Sequence, residues 1–169
     1  MATIWLDLDG VIFKGLKNIA LYENPRIFSS LELIDGAEDF IEKLKSLGKV
    51  KVISKVFLNS TDPNWRIQAY DKIISCVELG FDPSDVVILT AEQEKFPYMK
   101  KGDLLIDDYG ENCRKAMRKN IQVIQGFENK ERKKWVTAKD YPEILRKTKK
   151  YIKIKEVVKN VFTDNRHHY

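Results

Sequence analysis

The sequence predicts an α/β fold, a three-layer sandwich with a mainly parallel five-stranded sheet and a small flap inserted after strand one. Three observations carry that expectation. Short apolar runs rich in Val and Ile alternate with amphipathic stretches of helical period, the pattern of successive strand–helix units. Several runs end in a carboxylate or a hydroxyl, so polar residues gather outside the carboxyl ends of the strands, where such folds place their ligands. A chain of 169 residues is long enough for one domain of this kind and too short for two.

Strand one is Thr3 to Leu8, and its run closes in Asp7-Leu8-Asp9-Gly10-Val11. Alternate side chains of a strand share a face, so Asp7 and Asp9 are expected to point the same way. Gly10 lets the backbone turn sharply there. Val11 to Leu33 is loop-rich, with Asn24-Pro25 and Ser29-Ser30, and an insertion over about 11–35 is well placed to lie across the sheet edge as a flap. Asp35-Gly36 opens a helix from Ala37 to Leu47 with Phe40, Ile41, Leu44 and Leu47 on one stripe, and Gly48 stops it.

Strand two, Val50 to Ile53, ends in Ser54. Asp62-Pro63 precedes a helix from Trp65 to Leu79, and Gly80 stops that one. Strand three, Val86 to Leu89, ends in Thr90, and a polar loop with Lys95, Lys100 and Lys101 leads to strand four, Leu104 to Ile106. Asp107 and Asp108 follow at once, then a helix from Asn112 to Lys119 and strand five from Ile121 to Ile124. The remainder holds a helix of about Lys139 to Lys150 and a ragged basic end.

Composition bounds the partners. A chain 43% hydrophobic and 33% charged reads as a soluble globular protein, and no apolar run approaches the roughly 18 residues of a membrane span. The N-terminus runs almost directly into a strand without the pattern of a signal peptide. Cys76 and Cys113 lack CxxC spacing and read as buried free thiols in a reducing cytoplasm, the expected location. The net charge of +5 is uneven: Phe127 to Tyr169 holds 13 Lys and Arg against 6 Asp and Glu. That segment is equally readable as a contact for nucleic acid and as a solvated helix face, and Trp135, Tyr141 and Tyr151 equally as stacking platforms and as core anchors.

Two acids at the carboxyl edge of a buried strand are costly unless a cation or a proton holds them. If strands one and four are neighbours, Asp7, Asp9, Asp107 and Asp108 surround one point, an arrangement that asks for a hard divalent ion such as Mg²⁺. Such an ion brings a phosphoryl oxygen into an acidic pocket, while a lysine and the Ser54 hydroxyl grip the remaining oxygens. Asp7 then serves as nucleophile and Asp9 as general acid and base, work that asks one carboxyl to hold a proton while its neighbour stays ionised. The chain has no GxxxxGK[ST] loop, which disfavours a P-loop nucleotide hydrolase.

Asp7-Leu8-Asp9-Gly10-Val11, Ser54 closing Val52-Ile53, a later lysine, and Leu105-Ile106-Asp107-Asp108 resemble the four signature motifs of the haloacid dehalogenase (HAD) superfamily. The spacing and the run Gly102-Asp103-Leu104-Leu105-Ile106-Asp107-Asp108 look most like its 5′(3′)-deoxyribonucleotidase branch and related small phosphatases of bacteria and phages. The resemblance covers about Thr3 to Gln125 and implies a Rossmann-like fold. It implies Asp7 as nucleophile, Asp9 as acid/base, and Mg²⁺ on Asp7, the Asp9 carbonyl and Asp107 or Asp108. It favours Lys95 over Lys100 and Lys101 for phosphate binding, because Thr90, Lys95 and Gly102 resemble the pattern before the last motif. Lys72 resembles a helix-borne lysine of the nucleotidases, although Cys76 stands where an aromatic is expected. Phe13, Tyr22 and Phe28 are the candidates for stacking on a base, and each is equally readable as a plug of the flap against the core. His167 and His168 are read as a chain end, not as metal ligands.

The expected organisation is a catalytic domain over 1–126 and a basic extension over 127–169, partly helical and packed on the same domain. The expected activity is Mg²⁺-dependent hydrolysis of a phosphomonoester, a nucleotide being the favoured substrate. Two alternatives stand beside it: action on 3′ or 5′ phosphate ends of nucleic acid, and a binding protein that sequesters a phosphorylated ligand.

Overall fold

The computed structural model describes residues 2–15, 24–127 and 135–164, with backbone alone over 157–164. Six strands form one parallel sheet: β1 (Thr3–Leu6), β2 (Lys49–Lys55), β3 (Val86–Leu89), β4 (Leu104–Asp107), β5 (Gln122–Gly126) and β6 (Val136–Ala138), in the order β3-β2-β1-β4-β5-β6. The helices are α1 (Ala37–Leu47), α2 (Trp65–Glu78), α3 (Gly110–Arg118) and α4 (Tyr141–Asp164).

The sheet has six strands, not the expected five. β6 is only three residues long, shorter than the run of four to eight that makes a strand readable from sequence. It pairs with β5, and α4 packs against α1, so residues 136–164 add a strand and a helix to the same layers. The chain turns back on itself at β1, whose neighbours are β2 and β4; this switch point is where a parallel sheet opens a crevice for ligands.

β1 shows why both faces are covered. Ile4 and Leu6 point into a core with Phe40, Ile41 and Leu44 of α1 and Ile144 of α4. Trp5, between them, points the other way, into a core with Cys113 and Ala116 of α3. In α1, Glu38 and Asp39 sit in the first turn and Lys45 in the last, each favourable to the helix dipole. Cys76 and Cys113 are buried and free, and burial pushes the Cys76 thiol up to about 12.

The described part of the insertion is pinned at both ends. The Lys14 amide donates to the Glu32 carbonyl and the Ile34 amide to that of Ile12, both at 2.8 Å, and Ile27 and Phe28 pack with Val56 and Ala69. Residues 16–23, which include Tyr22, lie outside the described residues, as do Lys130, His167, His168 and Tyr169.

At the other end of the sheet, buried Asp103 accepts from the Thr3 amide, the Trp5 indole and the Lys100 amide, each at 3.0 Å, and so ties β1 to the approach of β4. Asp103→Ala leaves buried donors without an acceptor and is expected to cost about 3 kcal/mol, or roughly 6–12 °C in Tm by calorimetry. An unchanged Tm would show that the tie contributes nothing.

Candidate active site

β1 and β4 pair in register, Leu6 beside Ile106, and the Asp7 amide continues the ladder to the Ile106 carbonyl at 2.9 Å. Asp7 and Asp107 therefore emerge side by side at the strands' carboxyl ends, with Asp108 next in the chain. Carboxylate oxygens of Asp7, Asp107 and Asp108 lie within 4.8 Å of one another. The loop after β3 brings Lys95 to the same point, its ammonium 2.8 Å from Asp7 Oδ1 and 2.8 Å from Asp107 Oδ2. Asp7, Asp107 and Lys95 are buried.

One lysine does not balance three acids, and the titration of the group reflects it. Burial raises Asp107 to about 6, with Lys95 pulling down and Asp7 pushing up. Burial, joined by the charges of Asp7 and Asp107, raises Asp108 to about 7. For Lys95, burial works to lower the value, but Asp107 and Asp7 together hold it above the ordinary lysine range. Three hard oxygen donors at this spacing, short of positive charge, fit a Mg²⁺ ion.

Asp9 does not share that cluster. β1 ends at Leu6, two residues earlier than expected, and the amides of Val11, Ile12 and Phe13 all turn in toward the Leu8 carbonyl at 3.2, 2.7 and 3.0 Å. The strand alternation that would align Asp7 with Asp9 is therefore lost. Asp9 Oδ2 instead accepts from Lys72 Nζ and, at 3.3 Å, from Ser54 Oγ. Lys72 also donates to Ser54 Oγ at 2.9 Å and to the Lys55 carbonyl, and its ammonium stands 4.1 Å from the centre of the Phe28 ring. Asp9 Oδ1 is buried without a donor among the described residues. The Asp9–Gly10 turn passes beside the first cluster. Gly10 has φ +72°, and a Cβ there would overlap Asp108 Oδ2, so only glycine fits.

The expected site residues thus fall into two adjoining groups, Asp7, Lys95, Asp107 and Asp108 in one and Asp9, Ser54 and Lys72 in the other. Among the described residues, the side chain of Asp9 is not part of the carboxylate trio. Lys100 and Lys101 are exposed at the surface, away from both groups' contacts. Phe13 and Phe28 are buried in the core, where the expected role of stacking on a base is closed to them as placed. Two supports gave no signal in the sequence. Asn112 donates to Asp107 Oδ2 at 3.0 Å, and Gln125 donates to the Asp108 carbonyl at 2.7 Å while accepting from the Trp135 indole at 2.9 Å. Only the fold brings them to the loop after β4.

A six-stranded parallel sheet in this order, helices on both faces and a carboxylate trio at the β1/β4 crevice define a Rossmann-like α/β protein. Among solved structures, an uncharacterized protein from Listeria monocytogenes serotype 4b superposes with a TM-score of 0.61 at 15% identity, over 90% of this chain and 99% of that one. The D,D-heptose 1.7-bisphosphate phosphatase from B. bronchiseptica, complexed with magnesium and phosphate, superposes with a TM-score of 0.57 at 13% identity, over 87% of this chain and 97% of that one. No protein-family model matches the sequence, and no curated protein matches it. At these identities the likeness is one of fold. No helix among the described residues is long and apolar enough to cross a membrane.

Proposed function

We propose that the protein is a Mg²⁺-dependent phosphatase that hydrolyses a phosphomonoester, a nucleotide or deoxynucleotide by preference, through an aspartyl-phosphate. The observation that carries this reading is a buried Asp7 held against Lys95 beside two further carboxylates, all within reach of one ion. The phosphatase with the same fold and bound magnesium and phosphate supports it.

Asp7, Asp107 and Asp108 would hold the ion, with the Asp9 carbonyl as a further oxygen. When bound, Mg²⁺ neutralises the carboxylates and stabilises charge on a phosphoryl oxygen. The Asp7 carboxylate attacks phosphorus, and Lys95 holds it in place while screening the approach of an anion. A phosphoryl group draws Lys72 and Ser54 toward itself and off Asp9, which takes up a proton from solvent and passes it to the leaving oxygen. In the second half Asp9 takes a proton from water, the water attacks phosphorus, and Asp7 leaves as a carboxylate with inorganic phosphate released.

Within the basic segment, helix α4 leads away from the site. α4 starts on the site side, where the Tyr141 hydroxyl donates to the Val11 carbonyl. By Tyr151 it has reached the Gly102 carbonyl, at the opposite edge of the sheet. The test is phosphate release from nucleotides, sugar phosphates and 3′-phosphorylated oligonucleotides. Activity is expected with Mg²⁺ and lost in excess chelator. Full turnover in chelator overturns the metal dependence.

The titration of the trio sets a pH dependence. Asp107 and Asp108 have values raised to about 6 and about 7, so their contribution to stability is present at acid pH and is lost as pH rises through those values. Metal-free protein is expected to lose Tm between about pH 5 and pH 8, and Mg²⁺ to raise Tm more at the upper end, where both groups are free to bind it. A Mg²⁺-induced shift that is the same at both ends of the range contradicts the assignment.

A further inference from the structure

Helix α2 is inverted relative to an ordinary surface helix. Its buried face carries Gln68, Asp71, Lys72 and Ser75, which serve the site and its surroundings. Its outward face carries Ile67, Tyr70, Ile74 and Val77, exposed to 43%, 66%, 39% and 47%. The spacing of three, four and three residues is that of a helix–helix seam, and four large apolar side chains in one solvent-facing row mark a contact surface.

We infer that this stripe is the interface of a homodimer in which α2 packs antiparallel against α2 of a second copy. The arrangement of the stripe itself selects this occupant. An antiparallel twofold sets Ile67 against Val77, Tyr70 against Ile74 and Arg66 against Glu78, each pair occurring twice, as an isologous interface requires. Both Arg66 and Glu78 are exposed, and neither has an ion-pair partner among the described residues. A parallel pairing would instead set arginine on arginine and glutamate on glutamate.

Shape follows the same direction. Beside Ile67 and Tyr70 is a hollow of about 490 Å³ rimmed by Pro25, Arg26 and Arg66, while the opposite end of the stripe ends in Val77 and Glu78. The twofold brings the apolar, acidic end of one copy to the basic hollow of the other. The helix is 14 residues long, so its face covers less than the ~800 Å² per partner of a standard interface, and the dimer is expected to dissociate on dilution. Packing of the stripe would also brace the helix whose other face holds Lys72.

Sedimentation of the full chain over a concentration series tests this. The expected result is a reversible shift from the 19.7 kDa chain to twice that mass. Tyr70→Glu with Ile74→Glu is expected to raise the dissociation constant about 100-fold or more. Arg66→Glu or Glu78→Arg alone is expected to raise it about tenfold, and the two together to restore it to within about threefold of the parent. Circular dichroism confirms that each variant folds, and the paired swap does not depend on the apolar variant doing so. A monomer at every concentration overturns the inference, as does a dimer indifferent to Tyr70 and Ile74. Failure of the paired swap to restore association overturns the antiparallel arrangement.

Discussion

Asp7→Asn is expected to lower phosphomonoester turnover by about 10⁴-fold or more while raising, not lowering, the Tm of the metal-free protein. The two readouts have one cause each. An amide has no free carboxylate to attack phosphorus, so the covalent step is lost even if substrate still binds. At the same time the substitution keeps shape and removes one of three acids that share a single lysine. Asp7 helps to raise both Asp107 and Asp108, and without it their ionised forms become easier to hold. A gain of about 1 kcal/mol, or roughly 2–4 °C, is the expected size. The rise in Tm on adding Mg²⁺ should shrink in the same variant, because one of its ligands is now neutral. Retained turnover in Asp7→Asn means that another group makes the attack; a lowered metal-free Tm means that the trio is not a strained collection of like charges.

Lys95→Met is expected to be the most damaging single change to stability. Lys95 is buried between Asp7 and Asp107, and an apolar side chain of similar length leaves those carboxylates facing each other without a cation. Removing one partner from a buried ionic group costs about 3–5 kcal/mol. The sign of its pH dependence follows from the acids left behind. Lys95 lowers Asp107, so its loss raises that carboxyl further, and the penalty is small where the acids are protonated and full where they must ionise. Chemical denaturation of metal-free protein should show the larger loss above about pH 7 and the smaller below about pH 5, with partial recovery on adding Mg²⁺. An equal loss at both pH values points to packing alone and removes the electrostatic account. Activity should fall with stability held by excess Mg²⁺, since Lys95 also positions Asp7.

Local pattern was readable where neighbours in the chain decide the outcome. α1 occupies the expected Ala37–Leu47, because an apolar stripe, acidic first turn and terminal glycine act within one helix. β3 likewise occupies Val86–Leu89, a short apolar run between an Asp-Pro turn and Thr90. α4 was legible only as a shorter helix, since its extension to Asp164 continues a basic sequence with no clear stop. β6 was not legible, because three residues make a strand only when β5 already offers them an edge.

The amino-acid sequence by itself determined the class of fold and the inventory at the sheet edge: alternating strand and helix periods place Asp7, Asp9, Ser54, Lys95, Asp107 and Asp108 after strand ends whatever the sheet order. Tertiary structure alone decided how that inventory is divided. Pairing of β1 with β4 joins Asp7 to Asp107 and Asp108, while the turn on the Leu8 carbonyl swings Asp9 away to Lys72 and Ser54. It also decided that α2 shows its polar face to the site and its apolar face to solvent. Periodicity reports that a helix has two faces; which one is buried depends on what the rest of the chain places beside it.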